Sequence, residues 1–120
     1  MKHILLLVAL GCCFSCTSNK IPSDILGIDK MKTIIWDMTR AGILSREQYK
    51  KQLIKKDSAS YFIKTKENYQ QVFNIYGITK DEFYKSYKYY LDHPDKNKIL
   101  MDSVSAYSNR QREDLYRRLK

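Results

Sequence analysis

Tyr76-Gly77-Ile78-Thr79-Lys80-Asp81-Glu82-Phe83, continuing through Tyr87, Tyr89 and Tyr90 to His93-Pro94, decides how this chain folds. Gly77 stands where a helix ends on a left-handed residue, and Ile78 supplies the apolar contact that accompanies such an ending. Thr79 and Glu82 have the spacing of a capping box, which opens a second helix. Asp81 and Glu82 lie in its first turn, where the helix dipole favours acids. Phe83, Tyr87, Tyr90 and Leu91 form one face, and Tyr84 and Tyr89 point elsewhere. His93-Pro94 stops this helix, because the residue before proline avoids the α region. Pro94 then opens a third helix.

The preceding residues predict another helix from about Ser60, with Phe62, Lys66 or Thr65, Tyr69, Val72, Phe73 and Tyr76 at helical spacing. Further back, Asp29 is the expected cap of a first helix. Its stripe is Met31, Ile34, Ile35, Met38 and Ile43 or Leu44, with Trp36 off the centre. Gly42 weakens its last turn. Ser45-Arg46-Glu47-Gln48 fits a capping box and predicts a separate short helix through Tyr49, Leu53 and Ile54. Lys50, Lys51, Lys55 and Lys56 face outward from it, and residues 56–60 read as a loop. After Pro94 a long helix extends to about Leu119, with Leu100, Val104 and Tyr107 as its stripe. That stripe thins around Gln111 to Leu115 and Leu119. The expected fold is all-α: a small bundle of four to five helices with a long C-terminal helix.

The N-terminus has a different character. Lys2 and His3 precede the apolar run Ile4 to Leu10, followed by Gly11-Cys12-Cys13-Phe14-Ser15-Cys16. Even counted to Phe14, the apolar stretch is about eleven residues, short of the roughly 20 that span a bilayer. A positive start, a short apolar segment and a small-residue site describe a secretory signal. A cysteine after that site resembles the lipobox of bacterial lipoproteins, in which the thiol is acylated and the cysteine becomes the first residue. Cys16 is the favoured lipidation site and Cys12 the alternative. The expected layout is a signal peptide over 1–15, an acylated cysteine and tether over 16–23, and a helical domain over 24–120. With neither an Asp after the cysteine nor an acidic run, the lipobox resemblance implies an outer-membrane lipoprotein facing the periplasm. No cysteine follows Cys16, so no disulfide staples the domain.

At 120 residues the chain holds one small domain. Its 43% hydrophobic content argues for a packed core rather than disorder. The formal charge is +9, and loss of Lys2 with the signal brings it to +8. That balance favours acidic partners. Nucleic acid fits the charge but not an envelope location, so no nucleic-acid partner is expected. Lys50, Lys51, Lys55 and Lys56, together with Arg110, Arg112, Arg117 and Arg118, are the candidate basic surface. A solvated helical face accounts for the same residues.

The chain resembles an uncharacterised family of Bacteroidota lipoproteins, catalogued as domain of unknown function 4296. The resemblance rests first on Asp29, Lys30, Met31, Ile34 or Ile35, Asp37, Met38 and Ala41. A second block comprises Tyr69, Phe73, Tyr76, Gly77, Ile78, Thr79, Phe83, Ser86, Tyr87, Tyr89, Tyr90, Pro94, Ile99 and Val104. It implies the helical fold and the envelope location, and carries no activity, ligand or cofactor.

A catalytic set needs a nucleophile, an acid/base pair or a metal site. His93 is the only histidine left after processing, and its place beside Pro94 reads as a boundary residue. No spacing suits zinc, no glycine-rich phosphate loop occurs, and no cofactor is expected. Ser86 and Asp37 read as structural: Ser86 for close helix approach, Asp37 as a partner for a tyrosine hydroxyl or a lysine. Seven of the ten tyrosines lie between Tyr61 and Tyr90. Tyrosine packs its ring and keeps a hydroxyl for a partner, so Tyr84 and Tyr89, with Trp36, are the candidate partner-binding surface. The leading functional expectation is a non-catalytic, membrane-anchored module that binds another envelope protein or a client. A basic domain binding anionic lipid or glycan is the alternative, and an enzyme with an unrecognised site is the second alternative.

Overall fold

The computed structural model describes residues 20–51 and 57–120. Cys12, Cys16, Leu53, Ile54, Lys55 and Lys56 lie outside them. Four helices follow in order: α1 (Ile28–Lys50), α2 (Ser58–Tyr76), α3 (Lys80–Asp92) and α4 (Pro94–Arg118). No strand occurs among the described residues. The all-α expectation holds, with four helices and the long one last.

α1 is the central helix and packs against both α2 and α4, while α3 packs against α4. Asn68 meets Ser45 and Tyr76 meets Asp37, so α2 runs antiparallel to α1. The core draws Met31 and Ile34 from α1, Val72 and Phe73 from α2, Phe83 and Tyr90 from α3, and Leu100 from α4. Ile78, in the corner between α2 and α3, completes it. The Phe73 and Phe83 rings meet with centroids 5.4 Å apart and join α2 to α3.

Several boundaries follow the local chemistry. Gly77 ends α2 at φ 60°, and the Ile78 amide donates back to the Phe73 carbonyl. The Thr79 hydroxyl accepts from the Glu82 amide at 3.1 Å, and Glu82 accepts from the Thr79 amide at 2.7 Å. His93 has non-helical backbone angles, and Pro94 starts α4 directly after it.

Other expectations are corrected. Ser45 opens no new helix, because α1 runs unbroken through it. Its hydroxyl donates to the Ala41 carbonyl one turn back at 2.9 Å and accepts from the Asn68 amide at 2.8 Å. The side chain is thereby satisfied inside the helix rather than at its end. Gly42 fits the interior of α1 because the Tyr69 hydroxyl lies 3.1 Å from where a β-carbon would stand. Gly27, not Asp29, is the N-cap of α1, and Asp29 pairs with Lys32 in the first turn. Asp57 caps α2 by accepting from the Ser60 amide, so the helix begins at Ser58.

Ile43 and Leu44 are half-exposed, since the buried stripe of α1 passes through Ala41 and Ser45 instead. Leu91 also faces outward. The inner face of α3 is centred on Phe83, Ser86 and Tyr90, and the small Ser86 side chain lets the Leu26 backbone sit against it. Phe62 is 66% exposed, because the inner face of α2 follows Asn68, Val72 and Phe73.

Candidate functional site

Phe62, turned out of the core, forms one wall of an apolar groove between α2 and the start of α3. Tyr84 forms the opposite wall and is 49% exposed. Half-buried Tyr69 and buried Phe73 line its inner side. Lys66 and Lys80 stand at its margin, and the Lys80 ammonium lies 5.6 Å from the centre of the Tyr84 ring. The groove encloses about 220 Å³.

The local sequence explains the arrangement. Phe73 packs on Phe83, which brings the first turn of α3 beside α2. Tyr84, the next residue, makes an edge contact with Phe83 and projects past it. The apolar surface continues beyond the groove. Phe62 also borders a depression with Arg46, Tyr49 and Tyr61, and Ile63, 60% exposed, adjoins Lys66. Among the described residues no ion pair engages Arg46, Lys66 or Lys80, whereas Glu67 nearby is taken by Lys64.

The three expected surface aromatics do not converge. Tyr84 lines the groove; Trp36 and Tyr89 do not. Tyr89 stacks on His93 with ring centres 4.1 Å apart and packs against the core. Trp36 is half-buried on α1. Phe62, the groove's most exposed wall, shares the helical spacing of Val72 and Phe73 but not their burial. Phe62 and Ile63 stand among Lys64, Lys66 and Glu67, whereas the buried Val72 and Phe73 stand among uncharged residues. That was the available signal.

Asp37, Ser86 and His93 are held in separate contacts. Asp37 accepts from the Tyr76 hydroxyl at 2.7 Å and lies near Arg40. Burial, reinforced by the Asp37 carboxylate, raises the Tyr76 hydroxyl above its ordinary pKa. Ser86 accepts from the Leu26 amide at 2.9 Å, and Tyr90 donates to the Leu26 carbonyl at 2.9 Å. Burial pushes the Tyr90 hydroxyl up to about 12. The His93 ring bonds the Tyr89 carbonyl at 2.7 Å.

On the candidate basic surface, Lys50 and Lys51 are exposed at the end of α1, with Lys50 paired to Glu47. Arg110, Arg112, Arg117 and Arg118 are exposed on the last turns of α4. Arg117 pairs with Glu113 and Asp114.

Residues 22–114 match the family described as Domain of unknown function (DUF4296). The chain belongs to this family. The match takes in all four helices and every residue of the groove, and stops short of the last turn of α4. Beyond it, no curated protein and no solved structure matches the DUF4296 chain.

Proposed function

We propose that this DUF4296 protein is an envelope lipoprotein, anchored through an acylated cysteine, whose helical domain is a non-catalytic interaction module for another envelope protein or a client. The open aromatic groove between α2 and α3 carries the reading. A domain of this size gains by burying Phe62 and Ile63, and exposed apolar surface with polar edges is characteristic of binding sites. Lipid attachment at Cys16, with Cys12 as the alternative, is supported by the lipobox-like run that precedes it. No described helix is long and apolar enough to cross a membrane, so anchoring in this reading falls to the acyl chains. An outer-membrane position facing the periplasm completes the proposal.

Two experiments test it. Metabolic acyl labelling is expected to disappear in Cys16→Ala and to persist in Cys12→Ala. A photo-crosslinking residue placed at Phe62 or Tyr84 in living cells is expected to trap a defined partner, while the same residue at Leu91, exposed but outside the groove, traps none. Equal adducts at all three positions would remove the groove from the proposal.

The end of α4 favours a second reading. Leu115, Tyr116 and Leu119 are exposed among Arg112, Arg117 and Arg118. Such a basic, amphipathic end suits an anionic lipid surface. The chain carrying Cys12→Ser and Cys16→Ser would then sediment with anionic vesicles and be released by salt. Indifference to vesicle charge would dismiss this reading.

A further inference from the structure

We infer that the occupant of the groove is an acidic segment of a partner protein, with one large apolar side chain seated between Phe62 and Tyr84 and carboxylates flanking it. The inference rests on the interaction-module reading and specifies the chemistry of its partner.

Size selects the class of occupant. Pockets that bury small ligands enclose about 300–1,000 Å³, and this groove encloses about 220 Å³. That volume suits one anchoring side chain of a larger partner. Such anchors, in pockets lined by aromatic rings, carry most of the binding free energy at protein interfaces. A long acyl chain would leave most of its surface in water.

Charge selects the flanking residues. Lys66 and Lys80 lie at the margin, and Arg46 borders the adjoining depression. None of the three has an ion-pair partner among the described residues, and the nearby Glu67 is already neutralised by Lys64. A basic segment would meet three uncompensated cations, whereas carboxylates would complement them. Like-charge juxtaposition rejects wrong partners more strongly than complementary pairs attract right ones. The charged margin therefore sets specificity and the apolar groove sets affinity.

The test is a displayed library of random short peptides, panned on the full chain in nanodiscs of zwitterionic lipid. The expected survivors carry a Trp, Phe or Leu flanked by Asp and Glu. Their binding weakens as salt is raised, and drops about tenfold in Phe62→Ala, the equivalent of 1.4 kcal/mol. Panning on Lys66→Glu/Lys80→Glu is expected to reverse the flanking charge of the survivors to Lys and Arg. That reversal also controls for folding, since a misfolded chain selects nothing charge-specific. Survivors with basic or neutral flanks, or an absence of groove-dependent survivors, would overturn the inference. So would displacement of the survivors by laurate at equal concentration, which would identify an amphiphile site. Partner adducts at Phe62 in cells alongside neutral survivors would leave the module standing and remove only the acidic partner.

Discussion

Leu26 shows how single residues hold this domain together. Its amide donates to Ser86 and its carbonyl accepts from Tyr90, so both backbone polar groups of one residue are satisfied by α3. Ser86→Ala would leave the Leu26 amide without that acceptor, at a cost of about 1–2 kcal/mol in chemical denaturation. Tyr90→Phe would cost about 1 kcal/mol and would also change the alkaline behaviour. The folded-state pKa of Tyr90 is raised from 10.0 to about 12. Its contribution is therefore fully present below pH 10 and is lost as pH rises towards 12. A tyrosinate absorbance titration of the wild type should show a late step that Tyr90→Phe lacks, and the variant should lose less stability across that window.

At the scale of the element, the helix ends around Gly77, Thr79 and Pro94 were legible, and both ends of α1 and the inward faces less so. Thr79, Glu82, Gly77 and Pro94 act on backbone groups within a few positions, so their chemistry is written locally. Thr79→Ala should cost about 1 kcal/mol by thermal or chemical melting, because the Glu82 amide loses its acceptor. Ser45 carries the same type of pattern and does a different job. What distinguishes the two is Asn68, twenty-three positions away and brought alongside by the fold. Ser45→Ala removes an acceptor from a buried amide and should cost about 1–3 kcal/mol, more than loss of an exposed cap. The groove was concealed for a related reason. Spacing places Phe62 on α2, but whether it is covered depends on where α3 lands. The Phe73–Phe83 contact decides that.

For the whole molecule, the core ends well before the chain does. Leu100 is the last fully buried residue, and every residue after Gln111 is exposed. Deleting residues 112–120 should change stability by no more than about 0.5 kcal/mol, measured by denaturant titration. A larger loss would show that the last turns of α4 are packed. The same partition separates two surfaces, the aromatic groove of α2 and α3 and the basic end of α4, which can be altered independently. The Leu26 contacts also have a mechanical meaning. Tension applied through the segment before α1 reaches α3 through Ser86 and Tyr90 before it can peel the first turn of α1, so these two side chains act as a strain relief between that segment and the bundle.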